Sequence, residues 1–329
     1  MEGGSVVRKA LIIGLNDYPE HPLSYCDDDA VAINTLLETD SNGDPNFQTR
    51  LVKDRMSRSE MRAAIKELFS GDSEIALLYF SGHGINEGPG YLVTTDYEID
   101  DYGVSMSEIL KYANESECKN RVIILDCCYS GLFGRNGVTD SKEAVIDEGV
   151  TIIAASQDYE PAMEDSDYGH GVFTNLLIEG LKGGAADVAG RITPAALYSF
   201  VDQSLDDWSQ RPVFKTNTKR FLPIRKVQPK IEKEILRKIC TYFPNPQDDY
   251  QLDPSYEFTN SVEYKVNVVE PYKDDEHVEI FGHLQKYASE GLVKPINADH
   301  MYFAAMNKKS CRLTALGAHY WNMVKQNLL

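Results

Sequence analysis

Short apolar runs alternate with helical patterns over residues 9–155, and this alternation constrains the fold more than any other feature. Four runs are almost entirely apolar, at residues 10–15, 75–80, 122–125 and 150–155, and two weaker ones lie at 50–52 and 91–93. Strands that are apolar on both faces are typical of a parallel sheet covered by helices on both sides. The pattern therefore predicts an α/β fold with a mostly parallel sheet.

Helical patterns separate these runs. Ser57 and Glu60 have the spacing of a capping box, and apolar residues follow at helical spacing from Met61 to Phe69. Further helices are predicted over residues 28–38, 106–113, 172–181 and 193–208. Residues 132–147 are rich in glycine and polar residues without an apolar period, so an exposed loop is predicted there.

The pattern changes near residues 223–229, which predicts two domains, 1–228 and 229–329. The second part has apolar helix faces over 231–243 and 278–288, two predicted strands at 301–306 and 311–313 around a polar turn, and a last helix after residue 314. This order resembles a winged-helix domain. Residues 230–329 carry 12 basic and 14 acidic residues, so they lack the basic face of a DNA-binding module. A protein-interaction or sensing role is the expectation.

The formal net charge of −18 lies almost entirely in the first part of the chain, and it makes nucleic acid an unfavourable partner. No stretch reaches the roughly 18 consecutive apolar residues of a membrane span, and no signal-peptide core is present. The expectation is a soluble, cytoplasmic protein. The six cysteines have no metal-binding spacing, so reduced thiols are predicted.

Two segments at the predicted strand ends carry residues suited to catalysis. The sequence Ser81-Gly82-His83-Gly84 follows the run 75–80, and Asp126-Cys127-Cys128 follows the run 122–125. The carboxyl ends of parallel strands meet at one edge, so a histidine base and a cysteine nucleophile are expected side by side. The amides of Gly82 and Cys128 are the predicted oxyanion donors. The alternative is a hydrogen-bonded structural histidine and an inert buried cysteine.

These two segments resemble those of the caspase-like cysteine peptidases, and among them the metacaspases and prokaryotic caspases. Cys128 follows His83 by 45 residues, close to the family spacing of about 50. The resemblance spans residues 9–222 and includes segments 171–174 and 210–214. It implies a caspase-like fold, a His83–Cys128 dyad, cleavage of peptide bonds in protein substrates and no organic cofactor. Cys127 is expected to pack on the opposite face of the strand.

The same resemblance implies a pocket for a basic residue. Asp29 and Asp158 match the acidic pocket positions of metacaspases, and Ser81 matches a pocket serine. Two carboxylates suit a guanidinium and repel a substrate aspartate, so cleavage after arginine, with lysine weaker, is predicted. The alternative is that the acids at 27–29 cap a helix.

Metacaspases often need calcium, and Asp96, Glu98, Asp100 and Asp101 form a candidate calcium cluster. The alternative is a solvated acidic loop. Caspase relatives are cut between their subunits, which makes Arg135 and Lys142 in the loop 132–147 candidate self-cleavage sites.

The sequence is also compatible with two other functions. One is a catalytically silent caspase-fold scaffold, and the other is a winged-helix DNA-binding regulator with an attached protease. The resemblance also implies a role in bacterial antiviral defence or regulated death. A regulatory protein partner is expected to bind the C-terminal domain.

Overall fold

A computed structural model describes residues 7–127, 146–155, 164–165, 170–205, 211–264 and 268–329. The chain divides into two compact units, Met1–Gln228 and Pro229–Leu329. The strands of the first unit are β1 (Arg8–Gly14), β2 (Gln48–Lys53), β3 (Ile75–Ser81), β4 (Gly84–Ile85), β5 (Tyr91–Glu98), β6 (Asp101–Ser105), β7 (Asn120–Asp126), β8 (Val150–Ala154), β9 (Glu164–Asp165), β10 (His170–Gly171), β11 (Arg191–Ile192), β12 (Val213–Asn217) and β13 (Arg225–Lys226). Its helices are α1 (Cys26–Glu38), α2 (Arg58–Leu68), α3 (Met106–Asn114), α4 (Val172–Glu179) and α5 (Pro194–Ser204), and a π-helical turn, Gly180–Gly184, follows α4.

Six strands form the central sheet of this unit, in the order β12-β8-β7-β3-β1-β2. The pairs among β8, β7, β3, β1 and β2 are parallel, and β12 pairs antiparallel with β8. The predicted α/β fold with a mostly parallel sheet is confirmed.

Helices cover both faces of this sheet. On one face, α2 and α3 bury side chains such as Met61, Ile65 and Ile109 in a shared core. On the other face, α1, α4 and α5 contribute residues such as Ile33 and Leu177. The strands read as continuous apolar runs because each one is buried from both sides. The capping box forms as predicted, since Ser57 and Glu60 each bond the other's backbone amide.

The chain order reverses between β1 and β3, which places a crevice at their carboxyl ends. Helix α1 follows β1 directly and begins at this edge. A side chain at position 14 would overlap the carbonyl of Cys26, so glycine lets the helix start close to the strand. Asn16 Oδ1 accepts the Cys26 amide at 3.0 Å. This arrangement brings Asp29, in the first turn of α1, over the strand ends.

The strand predicted at 91–93 lies outside the central sheet. It is part of β5, which pairs antiparallel with β4 and β6 in a three-stranded sheet. The apolar run correctly predicted a strand here but gave no information about the strands that pair with it.

The second unit contains helices α6 (Lys233–Arg237), α7 (Ile239–Tyr242), α8 (Asp275–Ser289), α9 (Met301–Met306) and α10 (Ala315–Lys325). Its strands are β14 (Asp249–Gln251), β15 (Val293–Ile296) and β16 (Ser310–Leu313), which form an antiparallel sheet in the order β14-β16-β15. A 3₁₀ turn, Pro254–Tyr256, precedes α8.

The expectation of a strand at 301–306 is wrong, because this segment is helix α9. Met301, Ala304 and Ala305 are buried, and their spacing is that of one helix face. A short apolar run has no period strong enough to separate helix from strand. Strand β16 therefore pairs with β15 and β14 instead of forming the expected hairpin, and the winged-helix resemblance stays a prediction.

No helix within the described parts of the chain is both long and apolar enough to cross a bilayer.

Candidate active site

His83 lies in the turn that follows β3 and is half-buried. Its Nε2 is 2.7 Å from the carbonyl oxygen of His21. A carbonyl only accepts hydrogen bonds, so Nε2 must carry the proton of the neutral ring. Nδ1 is then the ring atom with a lone pair, which is the state required of a general base.

Tyr18 holds the turn that carries His83 in place. Its hydroxyl accepts the His83 amide at 3.1 Å and donates to the Val93 carbonyl at 3.1 Å. Its ring meets the His83 ring edge-on, with centroids 4.6 Å apart. Burial raises the pKa of Tyr18 far above its ordinary value, so the hydroxyl remains a donor. A Cβ at Gly82 would lie 2.6 Å from this hydroxyl, so position 82 has no room for a side chain.

Gly82 does not offer a free amide. Its N–H donates to the Asp126 carbonyl at 3.3 Å, which continues the bonding between β3 and β7. The oxyanion role of Gly82 therefore stays a prediction, and it requires this bond to break.

Asp29 is buried and points to the strand ends. Its Oδ2 accepts the Ser81 hydroxyl at 3.2 Å, and its carboxylate also accepts the Gly171 amide. Tyr25 is the N-cap residue of α1 and makes no side-chain cap bond. The Asp29 side chain contacts the predicted pocket serine.

Asp126, the last residue of β7, lies beside Asp29 and was not among the predicted pocket residues. Ser81 and Asp126 are direct neighbours in the β3–β7 ladder. A Cβ built on Gly171 would lie 2.8 Å from Asp126 Oδ2 and 3.5 Å from Asp29 Oδ2. The two carboxylates thus converge on one point, and a glycine there leaves that point open.

The electrostatics of this pair are unfavourable for two full charges. Burial, followed by the charge of Asp126, raises the pKa of Asp29 to about 8. The hydrogen bonds from Ser81 and Gly171 act in the opposite direction and are too weak to cancel the rise. At neutral pH, Asp29 therefore keeps a proton while no cation is bound.

Cys127 is 1 % exposed and packs in the core on the α2 and α3 face, as predicted. Several predicted site residues lie outside the described residues: Cys128, Asp158, Arg135 and Lys142. The five described cysteines, Cys26, Cys118, Cys127, Cys240 and Cys311, form no disulfides with one another.

The four calcium candidates do not form a ligand set. Asp101 pairs with Arg58, and Asp96 accepts the Arg58 amide at 2.9 Å and the Thr94 hydroxyl at 2.7 Å. Glu98 and Asp100 complete the predicted cluster, yet the described residues contain no group of three or more His, Cys, Asp or Glu arranged to hold a metal ion. Arg58 already pairs with one member of this cluster, and calcium binding by these residues stays a prediction.

The sequence held a signal for Asp126. Side chains alternate between the faces of a strand, so residues 126 and 128 share one face when Cys127 occupies the other. The same alternation relates Ser81 to His83. The contacts made by Tyr18 and by the His21 carbonyl had no signal in the local pattern.

Comparisons with known proteins agree with this architecture. A family model described as "Caspase domain" matches residues 7–223. The crystal structure of caspase-1 from Spodoptera frugiperda is similar, with 16% sequence identity and a TM-score of 0.51 over 68% of this chain and 92% of that chain. At this identity the likeness shows the fold alone. A search of curated protein sequences gave no match. The family match covers well over half of the chain, so this protein belongs to the caspase-domain family of cysteine peptidases and has the caspase fold.

Proposed function

We propose that the protein is a cysteine endopeptidase that cleaves after arginine and, more weakly, after lysine. The observation that carries this proposal is the convergence of the Asp29 and Asp126 carboxylates above Gly171, at the sheet edge that also bears His83. Two carboxylates match the planar fork of a guanidinium, whereas an ammonium is a point charge. A substrate aspartate would meet charge of its own sign.

The chemistry proposed for the dyad follows from the His83 tautomer. Nδ1 takes the Cys128 thiol proton, and the thiolate attacks the scissile carbonyl. The His21 carbonyl holds Nε2–H and stabilises the imidazolium that forms. His83 then gives the proton to the leaving amine, and water, activated by the same nitrogen, hydrolyses the thioester and restores the thiol.

For the oxyanion, we propose the amides of Cys128 and Gly84 ahead of Gly82. The Gly82 and His83 amides already donate, to Asp126 and Tyr18 respectively. Gly84 pairs with Leu92 next to the hydrogen-bonded position of His83 and Val93. Bonded and non-bonded positions alternate in an antiparallel ladder, so the Gly84 N–H is expected to point away from β5.

The direct test is hydrolysis of short fluorogenic peptides ending in arginine, lysine, citrulline or aspartate, with and without calcium. We expect turnover in the order arginine, lysine, citrulline, with none after aspartate. Cys128→Ala should abolish turnover, and Asp126→Asn should reduce it for arginine far more than for citrulline. Preference for aspartate would contradict the pocket, and no turnover under any condition would favour the silent scaffold.

For residues 229–329 we propose binding of a regulatory protein. Their near balance of 12 basic and 14 acidic residues supports a protein partner over DNA. Binding of duplex DNA by the full chain, with affinity falling steeply as salt rises, would contradict this part of the proposal.

A further inference from the structure

The side chain of Asp126 ends a chain of buried hydroxyl groups. Thr174 Oγ1 lies 2.6 Å from Asp126 Oδ2, and the Tyr79 hydroxyl lies 2.6 Å from Thr174 Oγ1. Tyr79 and Thr174 are fully buried, and Asp126 is 8 % exposed. Tyr79 belongs to β3 and Thr174 to the first turn of α4, so three separate elements meet at this carboxylate.

The protons in this chain have one consistent direction. A threonine hydroxyl has a single proton, and Thr174 donates it to Asp126. Tyr79 must then be the donor to Thr174 Oγ1. Burial raises the pKa of Tyr79 well above its ordinary value, so this donor keeps its proton. Two aligned hydroxyl dipoles therefore point at the Asp126 carboxylate, and aligned donors strengthen one another.

Asp29 has weaker support for a charge. Its hydroxyl donor, Ser81, is at 3.2 Å, longer than the 2.6 Å bond that Asp126 receives. The Gly171 amide also bonds Asp29, yet the two bonds together do not offset its burial beside Asp126. The ionisable groups that face Asp29 include Asp28 on its own helix and Asp126 on β7, and Cys26 lies with both carboxylates near Tyr79. The two acidic neighbours disfavour a second negative charge on the pair.

We propose that Tyr79 and Thr174 are positioning residues that hold Asp126 as the charged member of the pair, so that Asp29 is the member that gives up a proton when a cation binds. This inference rests on the proposed function, because it assigns the two acids to one cation pocket. On binding, the Asp29 carboxyl O–H bond breaks and its proton passes to the solvent. The guanidinium keeps its own protons and meets two carboxylates.

The Tyr79 hydroxyl is not needed for packing. A phenylalanine ring at position 79 would fill the same space as the Tyr79 ring. Phe80 packs such a ring in the core on the other face of β3. A buried hydroxyl is costly unless it is hydrogen-bonded. Here its partner is Thr174, whose own partner is the pocket carboxylate.

The test measures binding of benzamidine, a small amidinium probe, by calorimetry from pH 6 to pH 9. All variants carry Cys128→Ala, so that no turnover or self-cleavage occurs. For the parent, we expect affinity to rise with pH and to level off near pH 8, with about one proton released per probe at neutral pH. Two buffers of different ionisation enthalpy give the number of protons.

Thr174→Val should weaken binding by about tenfold or more at pH 7.5, because a hydrogen bond to a charged group is lost. It should also raise, by about one unit, the pH at which the affinity for benzamidine levels off. Thr174→Ser should restore both quantities, and Tyr79→Phe should shift both in the same direction by less. If Thr174→Val does not fold, Tyr79→Phe and Thr174→Ser still give the comparison.

Thr151→Val is the matched control. Thr151 is 2 % exposed and its hydroxyl bonds Thr216 at 2.8 Å, away from the acidic pair. It should lower stability without moving the pH dependence. The proposed role of Tyr79 and Thr174 would be overturned if Thr174→Val bound benzamidine like the parent. It would also be overturned if Thr151→Val shifted the pH dependence of binding equally. If the Cys128→Ala parent binds no benzamidine at any pH, the proposal is also overturned, whatever peptides the active protein cleaves. Binding without turnover of arginine peptides in the active protein would refute only the proposed function.

Discussion

The Ser81 hydroxyl donates a hydrogen bond of 3.2 Å to Oδ2 of Asp29, and this bond joins the end of β3 to the first turn of α1. Because His83 lies two residues after Ser81, the base and the acidic pair depend on one short segment. In the proposed peptidase, binding of the substrate side chain and positioning of the base are therefore linked through the backbone of residues 81–83.

Replacing Asp29 should change the way stability depends on pH. The pKa of Asp29 is about 8 in the folded chain, against an ordinary value of 3.8. Between these values the unfolded chain loses the proton first, so rising pH disfavours the folded state. Asp29→Asn cannot ionise, and it should be more stable than the parent by a few kcal/mol near pH 8 and by little near pH 4.

Urea unfolding at several pH values, in a Cys128→Ala background, measures this difference. Asp72→Asn is the control, because Asp72 is exposed and precedes β3, at the opposite end of this strand from Ser81. A stability difference for Asp29→Asn that does not vary with pH would show that the Asp29 carboxyl is not neutral in the folded protein.

The preference for arginine should itself depend on pH. Below pH 8 a bound guanidinium must displace the Asp29 proton, whereas a neutral citrulline need not. The ratio of kcat/KM for arginine to that for citrulline should rise by up to about tenfold per pH unit and level off near pH 8. Taking the ratio removes the titration of the dyad, which both substrates share. A constant ratio from pH 6 to pH 9 would be incompatible with a protonated empty pocket.

Tyr18→Phe should slow the chemistry without weakening substrate binding. It removes the acceptor of the His83 amide and the donor to Val93, while the ring still packs against His83. We expect kcat to fall by about tenfold with KM nearly unchanged, and stability to fall by about 1 kcal/mol. Steady-state kinetics on an arginine peptide test this expectation, with Tyr97→Phe as a control at a half-buried tyrosine whose hydroxyl bonds Glu20. An increase in KM alone would place Tyr18 in substrate binding instead.

Gly82→Ala should disable the site by sterics. The new methyl group would lie 2.6 Å from the Tyr18 hydroxyl and 2.8 Å from Phe80 Cζ, so the turn that carries His83 must move. Loss of turnover and a lower melting temperature are expected. Gly282→Ala in α8 is the control, since nothing lies within 4 Å of its Cβ, and it should stabilise the protein by about 0.5–1 kcal/mol. Normal activity of Gly82→Ala would show that the turn tolerates displacement.

Self-cleavage is expected in the loop 132–147, at Arg135 or Lys142. The purified protein should convert to two fragments with time, and Cys128→Ala should remain intact. Arg135→Ala combined with Lys142→Ala should block the cut while hydrolysis of an added arginine peptide persists. Mass spectrometry of the fragments identifies the cleaved bond. Equal persistence of the full-length band in the unmodified protein and in Cys128→Ala would refute self-cleavage.

The fold was largely predictable from the sequence, and the site was predictable only in part. Helix α2 has a capping box and a helical apolar period, and the buried strands are short apolar runs that alternate with helical patterns. Helix α9 was mistaken for a strand because six apolar residues have too little period. The location of Asp126 at the site could be predicted from the alternation of side chains along a strand. The hydrogen bonds of Thr174 to Asp126 and Tyr79, by contrast, join residues 48 and 95 positions apart. Contacts at such separations depend on how elements pack.

The parallel pairing of β7 with β8 has a consequence for any cut between them. Residues 121–125 pair one by one with residues 150–154, and both strands are buried in the same cores. A break in the intervening chain would remove a covalent connection and leave the pairing of β7 with β8 intact. Two fragments that separate under denaturing conditions should therefore migrate as one particle under native conditions. One fragment would carry the proposed dyad, and the other would carry Gly171 and Thr174 of the proposed cation pocket.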